Sequence, residues 1–311
     1  MDTARDQLAS FTLDTLPTLD VVTCGALELF AAEPVTVSLP KYKRPLVIGS
    51  VGALVAGKIM YAGTAAVFAD ESNFLSVLQL HPEIDGVVLI SASGSKHAVE
   101  IAQTLEANFS GATTLLTCNT DAPAKQFFAE SDVVVLPKNR EPYTNNTSTY
   151  MGMILAKQPE DAAAVLQFIN DVIEPALPTD WAAYNAFTFI VPTEYAAVCQ
   201  LIRIKFEEMF EPLVHGRAYS VEEIKHAKTV VPSDTELFVS LGVANEHYGA
   251  ESNRWQLPLP DSIGPAGVLA IAYYVVGRIQ AAHPPYFKDN IAAYAAQATQ
   301  VFKADIRPIV E

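Results

Sequence analysis

Short blocks of consecutive apolar residues, each closed by turn-forming residues and followed by a helical pattern, mark the first half of the chain. Residues 45–48 run into Gly49-Ser50, residues 86–90 into Ser91, and residues 113–116 into Thr117-Cys118-Asn119. A fourth block, 133–136, leads into Pro137 and a polar stretch that ends at Thr149. Strands this apolar on both faces, alternating with helices, predict a parallel sheet covered on both sides. After Ser95, the residues Ala98, Ile101, Ala102 and Leu105 recur at helical spacing and predict one buried stripe. Ligands of such sheets bind beyond the carboxyl ends of the strands. Gly49-Ser50, the segment 91–96 and Asn119 all fall there.

The second half repeats this rhythm more loosely, with strands expected over 187–191 and 237–241, a long helix over 194–211 and a late helix over 269–280. A helical run over 160–173 precedes the Pro-containing stretch 174–180, which reads as a linker. The partition is then an N-terminal helical segment (1–43), a first α/β domain (44–173) and a second one with a C-terminal segment (174–311). A length of 311 residues suits two such units of about 100–200 residues each. The fold class expected is α/β, with two doubly wound parallel sheets.

Composition narrows the function classes. Half of the residues are hydrophobic and 18% are charged, which supplies a core and argues against disorder. No apolar run reaches the roughly 18 residues of a membrane span, and residues 1–20 lack the basic start and apolar centre of a signal peptide. A soluble, cytoplasmic protein without a membrane partner is expected. The net charge of −15 argues against nucleic acid, whose binding needs clustered Lys and Arg. It also means that an anionic ligand must be held by local donors: backbone N–H groups, hydroxyls and a helix start. Cys24, Cys118 and Cys199 are odd in number and widely spaced, as free thiols in a reducing compartment are. No His, Asp, Glu or Cys cluster has metal-ligand spacing, and neither metal nor cofactor is expected.

Gly86-Val-Val-Leu-Ile-Ser-Ala-Ser-Gly-Ser-Lys96 predicts a strand, a tight polar turn and a helix start. Ser91, Ser93 and Ser95 offer three hydroxyls, Gly94 permits a left-handed turn, and Lys96 adds a full positive charge. Serine and glycine also end strands and cap helices with no ligand at all. Residues 90–96, Ile-Ser-Ala-Ser-Gly-Ser-Lys, resemble the I-S-x-S-G-x-T motif of the SIS (sugar isomerase) domains, which binds the phosphate of sugar phosphates. Downstream, Leu115-Leu116-Thr117-Cys118-Asn119 resembles the family's next strand end, and Glu141 with Thr147 matches its E-x5-T turn. The resemblance spans residues 45–155. It implies a five-stranded, flavodoxin-like parallel sheet paired with a second SIS domain, a homodimeric enzyme of carbohydrate metabolism, and a sugar phosphate as ligand. Glu141 and Thr147 would then contact substrate. Two departures stand out: Lys96 replaces the family's Thr, and Ser50 lies one position from the serine of many relatives, which makes it a weaker phosphate ligand.

Aldose–ketose interconversion needs an acid/base for the ring oxygen and a base for the proton moved between adjacent carbons. On the helix around residue 205, Gln200, Arg203, Glu207 and Glu211 share one face, which reads as solvated. Lys205 and Glu208 project toward the apolar arc of Val198, Leu201, Ile202 and Met209. That pair is either a partly buried helical ion pair or part of a catalytic site. The segment resembles the K-x-x-E helix of the isomerase domain of glucosamine-6-phosphate synthase, in which the Glu moves the proton. Glu223-Ile-Lys-His226 resembles that family's E-x-K-H, in which the His opens the ring. Here Ala227-Lys228 replaces the usual Gly-Pro, and Glu208 and His226 stand two residues further apart, which leaves Glu207 and Glu211 as rival bases and His97 as a rival acid. Ser220-Val-Glu-Glu223 is also a capping box, which gives Glu223 a structural role. Tyr286 and Lys288 are placed by no motif. The expected activity is a metal-independent phosphosugar isomerase; a fructosamine-6-phosphate deglycase-like lyase and a non-catalytic phosphosugar sensor are the alternatives.

Overall fold

The computed structural model describes residues 3–228 and 231–311. In chain order, helices α1 (Ala4–Ser10) and α2 (Leu19–Ala32) precede β1 (Pro45–Gly49), α3 (Gly52–Met60), β2 (Val67–Ala69), α4 (Phe74–Leu80) and β3 (Gly86–Ile90). Next come α5 (His97–Asn108), β4 (Ala112–Thr117), β5 (Val133–Val135), β6 (Glu141–Pro142), α6 (Thr147–Lys157) and α7 (Ala162–Phe168). The remainder is β7 (Ala186–Val191), α8 (Val198–Met209), β8 (His215–Ser220), α9 (Val221–Ala227), β9 (Glu236–Leu241) and β10 (Arg254–Leu257). The chain closes with α10 (Pro265–Ala282), α11 (Tyr286–Phe302) and β11 (Ile309–Val310). These elements form two compact units: Pro34–Lys138 with Ser148–Pro159, and Met1–Glu33 with Asn139–Thr147 and Glu160–Glu311.

The first of these units holds a five-stranded sheet of order β2-β1-β3-β4-β5, all pairs parallel. Its central strands β1 and β3 are apolar and buried at every position because both faces are covered. Leu46, Ile48, Val87, Leu89 and Leu115 pack on one face with Ala98, Ile101, Ala102 and Leu105 of α5. Val47, Val88, Ile90 and Leu116 pack on the other with Ala56 and Met60 of α3 and Met153 of α6. The helical stripe expected after Ser95 is therefore the buried face of α5.

The second unit holds a four-stranded parallel sheet of order β10-β9-β7-β8. Phe206 of α8 packs against Phe187 and Phe189 of β7, with ring centroids 6.0 and 5.9 Å apart. Gly216 of β8 lets that ring approach, since any side chain there would overlap Phe206. Helices α2 and α10 cross in the same unit, where Gly277 lies against the backbone of Asp20. Two doubly wound parallel sheets, the class read from the sequence, are thus present.

The differences from expectation are local. The helix expected over 194–211 is α8, Val198–Met209, preceded by a 3₁₀ turn over Thr193–Tyr195. Pro212 lacks an N–H and disfavours helical backbone at the residue before it, so the helix ends early. The run over 160–173 is α7 followed by a π-helical turn, Ile169–Ile173. Strands β2, β8 and β10 were not expected, and each lies at a sheet edge.

Candidate functional site

The candidate residues fall into two groups, one in each unit. In the first, β1 and β3 are adjacent and in register, with Gly49 opposite Ile90, so Ser50 and Ser91 leave neighbouring strand ends. The Ser91 N–H still donates to Leu116 O, at 3.0 Å. The chain then turns sharply. Ser91 Oγ accepts from Gly94 N at 3.2 Å, and the hydroxyls of Ser93 and Ser95 meet at 2.7 Å. Gly94 has φ +59°, and a Cβ there would overlap Ala122, so conformation and space both require glycine.

The loop's carbonyl oxygens are turned away and consumed. Ala92 O accepts from Cys118 N (2.9 Å) and Thr117 Oγ1 (3.0 Å), Ser93 O from Asn119 Nδ2 (3.0 Å), and Gly94 O from Ala124 N (2.9 Å). Groups that would repel an anion are thereby tied to the segment after β4, while Ser93 stays exposed and Ser91 and Ser95 half-exposed. The Asn119 brace is the role of the polar strand end noted in the sequence. Helices α3 and α5 both start without a side-chain cap, at Val51 and Lys96. Burial alone lowers the Lys96 pKa from that of an ordinary lysine. His97, the rival acid, is exposed beside Glu100 at 3.7 Å.

The second group surrounds α8. Lys205 is 1% exposed, and its ammonium donates to Thr144 O (2.7 Å), Asn145 O (2.9 Å) and Glu208 Oε2 (2.8 Å). An ammonium has three protons, so each is used. Thr144 and Asn146 have φ of 76° and 46°, and Lys205 pins the turn that contains them. Within the same turn Glu141 Oε2 accepts from Thr147 N at 2.6 Å. Glu141 and Thr147 are 4% and 0% exposed, so both face protein. The C-terminal segment returns to brace this turn, β11 pairing antiparallel with β6. Glu208 keeps 27% of its side chain exposed. Burial, then Tyr294 and Glu208, raise the pKa of Tyr143.

The remaining candidates have other surroundings. His226 lies exposed in the last turn of α9, with no hydrogen-bond partner among the described residues. Glu223 accepts from the Ser220 N–H and hydroxyl, which completes the capping box. Lys228, which stands where the family has proline, forms a buried pair with Glu236 at 2.9 Å. Glu207 is exposed, and Glu211 pairs with His215 at 2.9 Å. Lys288 donates to Asp14 O. Among the described residues, no group of three or more His, Cys, Asp or Glu could hold a metal ion, and no helix is long and apolar enough to cross a membrane.

No family model and no curated protein matches the sequence. Solved structures do match the fold. A glucosamine-6-phosphate deaminase from Thermotoga maritima superimposes with a TM-score of 0.57 at 14% identity, covering 85% of this chain and 92% of that one. The tagatose-6-phosphate ketose/aldose isomerase of Escherichia coli gives 0.55 at 12% identity, covering 91% and 92%. The C-terminal domain of glucosamine-fructose-6-phosphate aminotransferase from Francisella tularensis gives 0.51 at 14%, covering 89% and 91%. Over most of its length the chain therefore shares the α/β fold of these structures.

Proposed function

We propose that the protein is a phosphosugar isomerase that interconverts aldose and ketose sugar phosphates by metal-independent proton transfer. The observation that carries this reading is the loop at 91–96, where hydroxyls of Ser91, Ser93 and Ser95 cluster while the carbonyls of Ala92, Ser93 and Gly94 are tied back. Hydroxyls, the N-terminal ends of two helices and the Lys96 charge suit a phosphate dianion in a chain of net charge −15. Ser50 adds a hydroxyl from the neighbouring strand end. The names of the structural neighbours, which include a ketose/aldose isomerase and a deaminase of sugar phosphates, fit the same class of substrate.

In this reading Glu208 takes the proton from the carbon beside the carbonyl, and the C–H electron pair forms a C=C bond as the carbonyl π pair moves onto its oxygen, giving an enediolate. The proton on Glu208 then returns to the adjacent carbon, whose hydroxyl passes its own proton to the first oxygen as it becomes the new carbonyl. Lys205 holds the carboxylate in place, its ammonium donating to Glu208 Oε2 at 2.8 Å. His226 protonates the ring oxygen as the ring opens, while Glu141 and Thr147 shape the turn beside the base. A phosphosugar sensor is the second reading. It is favoured by one observation: Lys228 is tied to Glu236 where relatives carry Gly-Pro, and His226 stands exposed two residues before it.

Incubation with hexose 6-phosphates in D₂O, followed by NMR, separates these readings. An isomerase incorporates deuterium next to the carbonyl, a deglycase releases free amine from fructosamine 6-phosphates, and a sensor binds without turnover. For the isomerase, Glu208→Gln is expected to lower kcat by about 10²–10⁴-fold with little change in ligand affinity. Full-rate variants at Glu207, Glu208 and Glu211 alike would end the isomerase reading.

A further inference from the structure

The ammonium of Lys205 does more than hold Glu208. It joins Glu208 Oε2 (2.8 Å) to Thr144 O (2.7 Å), so Tyr143, the residue before Thr144, stands beside the carboxylate. The backbone of Tyr143 is fixed on its other side, where its N–H donates to Pro308 O at 2.7 Å and β6 pairs with β11. Its ring lies 6.1 Å from that of Tyr294 and packs on Ala295 and Ala298 of α11 and on Ile306. Backbone and ring are thus held, whereas the hydroxyl has no hydrogen-bond partner among the described residues. Neither has Glu208 Oε1, because Lys205 takes the other oxygen. Both groups reach solvent: Tyr143 is half-buried, and Glu208 keeps 27% of its side chain exposed. An idle donor and an idle acceptor therefore flank one place. Burial, then Tyr294 and Glu208, push the phenol pKa above that of an ordinary tyrosine, which keeps its proton on as a donor.

Taking a proton from carbon drives negative charge onto the neighbouring carbonyl oxygen, and a base alone leaves that charge unmet. A donor has to reach the oxygen while the base reaches the C–H. Lys205 cannot serve, since its three protons are already used. We infer that Tyr143 is a catalytic residue, whose hydroxyl donates to the oxygen of the forming enediolate while Glu208 Oε1 takes the proton from carbon. The inference rests on the isomerase reading and supplies the electrophile that this reading lacks. No net proton passes through Tyr143. Its hydrogen bond strengthens as charge gathers on the oxygen and weakens again as the new carbonyl forms at the adjacent carbon. An interaction stronger in the transition state than in the ground state raises kcat, not affinity for substrate. The feature that this pair reads is then an open-chain carbonyl with a hydroxyl on the next carbon.

The test uses the full chain, with fructose 6-phosphate as substrate and the hydroxamate of arabinonic acid 5-phosphate as a probe that carries the charged oxygen of an enediolate. Tyr143→Phe removes the hydroxyl and keeps the ring against Tyr294, so Tm should stay within about 1 °C of wild type. Loss of one donor to a developing oxyanion should lower kcat by about 10²–10³-fold with KM nearly unchanged. In calorimetry the hydroxamate should bind about ten- to hundredfold more weakly, and fructose 6-phosphate less than about threefold. Tyr143→Leu also removes the ring; it should lower Tm but lose no more kcat per folded molecule, which separates the donor from packing. A Tyr143→Phe protein with wild-type kcat and hydroxamate affinity overturns the inference. Equal losses for the two ligands overturn it as well, because the hydroxyl would then be a ground-state contact. Glu208→Gln is the control for the underlying reading. If it loses turnover while Tyr143→Phe does not, the isomerase stands and only the Tyr143 assignment fails. If wild type turns over no hexose 6-phosphate, the isomerase reading falls and takes the inference with it.

Discussion

In the first sheet β3 is followed by Ser91, whose N–H extends the ladder to Leu116 O at 3.0 Å; in the second sheet β9 is followed by Gly242, whose N–H does the same to Leu257 O at 2.8 Å. The strand orders β2-β1-β3-β4 and β8-β7-β9-β10 make these positions equivalent. Beyond them the chemistry diverges. The first loop turns hydroxyls outward and hides its carbonyls. In the second, Asn245 Oδ1 accepts from Tyr248 N, and the Arg254 guanidinium gathers the carbonyls of Glu246, Tyr248 and Gly249. That loop is closed on itself.

The helix starts differ in the same direction. Helices α9 and α10 of the second unit are met by protein carboxylates: Glu223 at α9, and at α10 Glu160, whose oxygens accept from Gly264, Ala266 and Gly267 N–H at 2.8, 2.8 and 2.9 Å. Helices α3 and α5 of the first unit have no side-chain cap. A helix start attracts negative charge. The contrast holds for α9 and α10; α8, which follows β7 as α3 follows β1, also starts without a side-chain cap. On the proposed reading the first unit carries the anion site and the second carries Glu208 and His226.

The comparison predicts that charged residues of the second unit govern stability and not phosphate affinity. The largest effect belongs to Lys205→Met, which leaves Glu208 and two buried carbonyls without their donor. It should cost about 3–5 kcal/mol, read by chemical denaturation, with phosphate binding retained by the folded fraction. Glu160→Ala should cost about 2–3 kcal/mol, because three N–H groups of α10 lose a charged acceptor. Burial raises the Glu160 pKa, with the N–H bonds opposing the shift only in part. A folded pKa above the unfolded value means that this contribution is full in acid and declines as pH rises through the folded pKa. The stability of wild type relative to Glu160→Gln should therefore decrease as pH rises from about 4.5 through that raised pKa, measured as paired Tm profiles. The smallest effect is Asn245→Ala, about 1 kcal/mol from lost loop hydrogen bonds, with no change in sugar phosphate affinity. A phosphate deficit in any of these three variants breaks the contrast between the units.

How much of this was legible follows from burial. Strands covered on both faces, such as Gly86–Ile90, announce themselves as apolar runs. The edge strand His215–Ser220 alternates instead, with His215 and Arg217 exposed and Ala218 and Ser220 buried, so it lacked that signal. The serine-rich loop was readable because Ser91, Ser93 and Ser95 alternate within one short segment. The role of Lys205 was half-readable: its spacing to Glu208 gave the ion pair, but the carbonyls of Thr144 and Asn145 lie about sixty residues away in the chain. Lys228 and Glu236, eight apart, were silent until a strand and a helix end brought them together.

The most direct test of the central claim is calorimetric titration of fructose 6-phosphate into wild type, Ser93→Ala and Asn245→Ala, one change in each of the equivalent loops. Loss of a hydrogen bond to a charged group should weaken binding by roughly 1–3 kcal/mol in Ser93→Ala, while Asn245→Ala binds as wild type does. Equal affinities in all three proteins, or a loss confined to Asn245→Ala, would contradict the assignment of the anion site to the loop after β3.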